Sequence, residues 1–130
     1  MITKFLKVLR IELEDLHDDI ELLVEDTMQR FKDHNITEHV CYENIAVLRS
    51  EEFGIKHFIE IIDATDPAAF DSIDAVAGHL KQAFEAEIRR SGLARAAYIL
   101  AERKIERVSR YVESYREWAQ EKQDMTRPLR

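Results

Sequence analysis

Leu6, Leu9, Leu13, Leu16, Ile20 and Leu23 recur at alternating intervals of three and four residues. A strand turns every second side chain to the same face, whereas this spacing lines them along one seam of a helix. The seam reaches Thr27 and then shifts to Met28 and Phe31, so the spacing predicts a helix over about Ile2–Phe31. At 1.5 Å per residue it is roughly 45 Å long. A rod of that length with one apolar seam needs partners of similar length to bury it.

Three further segments repeat the pattern. Cys41, Ile45, Leu48, Glu52, Ile55, Ile59 and Ile62 form the second seam. Asn35 with Glu38 has the spacing of a helix cap and its capping acid, and Thr37 is the rival cap. Ser50 and Gly54 leave room for a bend. Asp66-Pro67 reads as a helix start, because proline fits a first-turn position where its missing N–H costs nothing. The third seam is Phe70, Ile73, Ala77, Leu80, Phe84 and Ile88, closed by Ser91-Gly92. The fourth is Ala94, Tyr98, Ala101, Ile105, Val108, Val112, Tyr115 and Ala119, with an expected end near Lys122.

The connections are short, and short connections join antiparallel neighbours. The expectation is an all-α, up-down-up-down four-helix bundle over residues 1–123 with a frayed tail over 124–130. The structural rival is a three-helix arrangement in which the third and fourth segments form one kinked rod. With only three glycines and two prolines in 130 residues, the turn chemistry of a β-rich fold is missing.

Charge is unevenly spread. The formal net charge is −7, yet residues 93–130 hold nine basic and six acidic residues, whereas residues 2–33 hold nine acids and five bases. Eight acids between Glu12 and Asp26 would lie beside Arg103, Lys104, Arg107 and Arg110 if helices one and four are antiparallel neighbours. The acidic total disfavours nonspecific nucleic-acid binding, though the basic fourth helix keeps that reading as an alternative. The single cysteine, Cys41, provides neither an internal disulfide nor a cysteine-based zinc site. No apolar run approaches the roughly 20 residues that span a bilayer. These features lead to the expectation of a cytoplasmic protein without membrane attachment.

The sequence has no His-Glu-x-x-His zinc motif, glycine-rich phosphate loop or nucleophile elbow. Its one irregularity is Glu52, a carboxylate on an otherwise apolar seam. Burying it calls for a cation or a metal. His17 on helix one and His79 on helix three are expected near its level, so Glu52, His17 and His79 form the candidate divalent-metal site. The bland account is an outward-facing or lysine- or arginine-neutralised Glu52. The Glu14-x-x-His17 spacing matches half of a di-iron motif, but no second pair completes it. His17–Glu21 and His39–Glu43 each share a helix face at four-residue spacing, as helices rich in glutamate do by chance. Tyr111 and Trp118, seven apart, lie off the fourth seam, and Val8, Ile11 and Leu22 lie off the first. Such surplus apolar surface points to a protein partner or a homodimer. The expected function is that of a small interaction or regulatory protein with no catalytic set and no cofactor. The first alternative is a metal- or small-molecule-binding bundle around Glu52.

Overall fold

A computed structural model describes residues 1–126. Every long element among them is a helix: α1 (Ile2–Lys32), α2 (Glu38–Asp63), α3 (Ile73–Ser91) and α4 (Arg95–Thr126), with a single 3₁₀ turn at Pro67–Ala69. The expected frayed tail is helical as far as Thr126, and its remainder, 127–130, lies outside the described residues.

Cross-helix contacts establish the antiparallel order. Arg10 pairs with Asp63 and Glu21 with Arg49 between α1 and α2. Phe58 stacks on Phe84 between α2 and α3, with ring centroids 4.3 Å apart. Lys81 meets Glu106 between α3 and α4, and Glu12 meets Lys104 between α1 and α4. The chain is therefore the expected up-down-up-down bundle. Phe5, Leu9, Leu13, Ile55, Phe58, Leu80, Phe84, Ile105 and Val108 form its core, contributed by all four helices. Burial of such side chains contributes roughly 1.5–3 kcal/mol each, which is what offsets the ordering of four long rods.

The helix ends follow local chemistry. Thr37, the rival cap, is the residue that caps α2: its hydroxyl accepts from the Val40 N–H at 3.2 Å. The Asp66-Pro67 signal starts the 3₁₀ turn, with Asp66 accepting from the Ala68 N–H, and α3 begins later under its own cap, Ser72. Proline and aspartate describe a first turn equally well in either helix type, so the sequence pattern places this start early. Gly92 takes the left-handed conformation at φ 62° and breaks the chain into α3 and α4, excluding the kinked rod. His34, at φ 61°, does the same after α1, where the Asn35 N–H donates back to the Arg30 carbonyl.

Gly54 does not break α2. The helix runs through it, buried against α4, where a Cβ would lie 2.6 Å from the Ala97 Cβ. This contact also sets the level of the α3–α4 turn, since Leu93 packs beside the same glycine. The part of α1 after about Ile20 and the first half of α2 consequently extend past that turn as a two-helix hairpin. The heptad series on α1 records the exit from the bundle: Leu9 is fully buried, Leu16 is partly buried and Leu23 is 52% exposed. Val24, Thr27 and Cys41 stay buried because α1 and α2 cover one another.

Candidate functional site on the outer face of α1 and α2

Glu52 lies at the α1–α2 contact, with its side chain 14% exposed. Its surroundings come from two helix faces at regular spacing. Arg49 precedes it by three residues on α2, and His17 and Glu21 stand four apart on α1. Arg49 is the centre of the cluster. One guanidinium nitrogen donates to Glu21 Oε1 at 2.6 Å and to Glu52 Oε1 at 2.9 Å. The other Glu52 oxygen, Oε2, is buried without a hydrogen-bond partner and faces His17 Nε2 at 3.8 Å.

The charges respond to one another. Hydrogen bonding with Glu52, and then donation from Arg49, holds the Glu21 carboxyl below its ordinary value. Glu52 first and Glu21 second hold the Arg49 guanidinium above its own. Two carboxyl groups that share one arginine make a compact, directional ion-pair network.

His17, Glu21 and Glu52 can each bring one ligand atom within 4.8 Å of the others, and among the described residues they are the group able to do so. Of the residues expected at a metal site, His17 and Glu52 are thus brought together and His79 is not. His79 is exposed on α3 and packs its ring on Phe70, centroids 5.0 Å apart. His79 misses the site on two counts: it lies on the solvent side of α3, one residue before buried Leu80, and it sits about three turns away from the α3–α4 turn, the level at which Gly54 and Glu52 lie. The Glu21–Arg49 half of the cluster is legible only as ordinary helix spacing, which carries no information about which helices face each other.

Beyond this cluster, towards the hairpin tip, the same two helices enclose a groove of about 610 Å³. Met28, Phe31, Tyr42 and Ile45 form its apolar walls, with Lys32 and Glu38 at its rim and Cys41 at its floor. Tyr42, Ala46, Arg49 and Phe53 follow one another at intervals of four, three and four, so groove and ion-pair cluster share one face of α2. Tyr42 is 78% exposed, and Met28, Phe31 and Phe53 are all well exposed. Cys41 is buried and free, its Sγ 3.9 Å from the Thr27 carbonyl, as befits a small core residue.

The basic surface of α4 is partly consumed by internal pairing. Arg95 meets Glu85 at 3.1 Å and Lys104 meets Glu12 at 3.1 Å. Among the described residues, the Lys104 contact is the ion pair that joins α1 to α4, whereas Arg10 and Glu21 turn to α2. The expected charge match between α1 and α4 is therefore realised at one level, and α2 takes the larger part. At the far end of α4, Tyr115 packs against Trp118, and Lys4 lies 3.0 Å above the Tyr115 ring.

No described helix is long and apolar enough to cross a membrane. No protein-family model, curated protein or solved structure matches the chain.

Proposed function

We propose that this chain is a small helical interaction protein that docks a protein partner on the outer α1–α2 face. The apolar groove between Met28, Phe31, Tyr42 and Ile45 is the observation that carries this reading. Single exposed apolar residues are ordinary, but here a tyrosine held in water adjoins exposed methionine and phenylalanine in one concave patch. Surface of this kind, rimmed by charge, is what protein interfaces bury. Tyrosine, phenylalanine and methionine are enriched at the centres of such interfaces. The Arg49 network borders the lower end of the same face and adds charged groups beside the groove. A cytoplasmic setting accords with the lone buried thiol.

The test is site-specific photo-crosslinking in cells, with the reactive side chain at Tyr42 or Met28 and, as control, at exposed Gln82 on α3. We expect discrete crosslinked products from the two groove positions and none from the control. Equal or absent crosslinking at all three would remove the docking role.

One observation favours a second reading, a divalent ion held by His17, Glu21 and Glu52: their donor atoms converge and one Glu52 oxygen is unpaired. Arg49 weighs against it, since its guanidinium already bridges both carboxyl groups. Equimolar zinc or manganese bound by the wild type and lost in Glu52→Gln would establish the metal reading; substoichiometric metal would end it.

A further inference from the structure

We infer that the partner seated on the outer α1–α2 face is a second copy of this chain, related by a two-fold axis running parallel to the hairpin. This identification of the occupant rests on the docking role proposed for that face. The charge order along the two helices is what points to it. At the base of the face Arg10 on α1 pairs with Asp63 on α2 at 2.6 Å. Midway, Glu21 on α1 pairs with Arg49 on α2 at 2.6 Å. At the tip, Lys32 on α1 and Glu38 on α2 border the same groove. At each of these levels the facing side chains named carry opposite signs, with Glu52 sharing Arg49 at the middle one.

A face with that property is complementary to itself. A two-fold axis parallel to the helices sets α1 of one protomer against α2 of the other at the same level. Each of the three levels then meets its opposite charge across the interface, as the Arg10–Asp63 and Glu21–Arg49 levels already do within the chain. A two-fold axis perpendicular to the helices would instead set α1 against α1 and α2 against α2, running in opposite directions. Centred on the groove, that arrangement carries the Arg10–Asp63 level of each protomer past the tip of the other, out of contact. The parallel axis engages the whole face and all three charged levels. It also joins the two hairpins into a second four-helix assembly beyond the α3–α4 turns, with Tyr42 of each protomer entering the groove of the other.

The available surface fits such a pairing. With an aromatic side chain burying 150–250 Å², the exposed parts of Met28, Phe31, Tyr42 and Phe53 amount to roughly 500 Å² of apolar surface per protomer. The polar levels around them raise this towards the ~800 Å² per partner of a standard stable interface. The same patch on each subunit, closed by two-fold symmetry, is the commonest form of soluble oligomer.

Charge reversal with cross-rescue tests this directly. Molar mass is measured by sedimentation equilibrium from micromolar to submillimolar concentration for the wild type, Lys32→Glu, Glu38→Lys and an equimolar mixture of the two variants. Helicity by circular dichroism verifies that each remains folded, as expected for exposed tip residues. The wild type should dimerise, and each single reversal should weaken the dimer roughly tenfold or more. The mixture should regain wild-type affinity. On one side of its axis the introduced glutamate meets the introduced lysine, and on the other the native Lys32 meets the native Glu38. Tyr42→Asp should abolish dimerisation. A monomeric wild type, a dimer indifferent to Tyr42→Asp, or variants that do not rescue one another would overturn the inference. Crosslinking from position 42 to a different protein, with the chain itself monomeric, would overturn the second-copy occupant and leave the docking face standing. A monomer with no crosslink at all would remove both.

Discussion

Three glycines and one histidine show how local geometry decides the effect of a single methyl group. Gly54→Ala improves helix propensity by about 1 kcal/mol, yet its Cβ would fall 2.6 Å from the Ala97 Cβ, which is anchored to the backbone of a packed helix. We expect a net loss of roughly 1–3 kcal/mol, the usual cost of overpacking. Gly78 has nothing within 4 Å of its missing Cβ, so Gly78→Ala should stabilise by about 0.5–1 kcal/mol. Gly92→Ala should cost about 1 kcal/mol because φ is 62° there, and His34→Gly should gain up to about 1 kcal/mol because φ is 61°. Urea denaturation of the four variants checks both signs and order. Gly54 also shows where sequence reading reaches its limit. Its spacing permits a bend as readily as a close contact, and only the position of Ala97, 43 residues away in sequence, decides between them. Glu52 is similar. Its place on the seam was legible, and so was its need for a cation, but Arg49 was recognisable as that cation only once α1 brought Glu21 alongside.

Titration at the residue scale has a definite sign. Glu21, Glu85 and Glu87 all have carboxyl values held below the ordinary 4.5: Glu21 by Glu52 and then Arg49, Glu85 chiefly by Arg95, and Glu87 chiefly by Arg90. A lowered folded value means that the stabilisation is fully present above the ordinary 4.5 and is lost as pH falls through the lowered values. Arg49→Gln should therefore flatten the acid limb of the stability curve while lowering the plateau near neutrality. Tyr98 behaves oppositely. Burial, and then its hydrogen bond with Glu102, pushes its phenol from 10.0 to about 12. Its contribution is intact below the ordinary 10.0 and is lost as pH rises towards about 12, so Tyr98→Phe should remove that part of the alkaline decline. Thermal melts across pH, compared between each variant and the wild type, read both effects.

At the scale of the elements, the four helices differ in how fully they are covered. The bundle body has all four around Leu9, Phe58, Phe84 and Ile105, whereas the hairpin tip has only α1 and α2 around Val24, Thr27 and Cys41. Fewer buried contacts mean a smaller free energy of local opening. Amide hydrogen exchange should therefore be slowest around Leu9–Leu13 of α1, Ile55–Phe58 of α2, Leu80–Phe84 of α3 and Ala101–Val108 of α4. Residues 24–30 and 41–47 should exchange faster at low protein concentration and slow down as concentration rises, because the proposed dimer covers them. Exchange at the tip that is as slow as in the body at every concentration would contradict this account. Helix count, order and the four seams were legible from periodicity because seams are set by local spacing. The overhang was not, since it follows from the difference in helix lengths, 31 and 26 residues against 19 in α3, together with the level at which Gly54 fixes the α3–α4 turn.

Considered as a whole, the molecule is a closed bundle at its centre with an open hairpin at one end and the exposed aromatics of α4 at the other. The open hairpin combines a groove of about 610 Å³ with a charge order that complements itself, and these two properties together underlie the proposed docking of a second copy. Trp118, 54% exposed on α4, is a natural reporter from outside that surface. The most direct measurement is a concentration series of two-dimensional NMR spectra following Tyr42, Met28, Ile45 and Phe53 together with the Trp118 indole. We predict that the four hairpin resonances shift together with one dissociation constant while Trp118 stays in place. Concentration-independent hairpin resonances, or shifts confined to Trp118, would contradict the second-copy dimer.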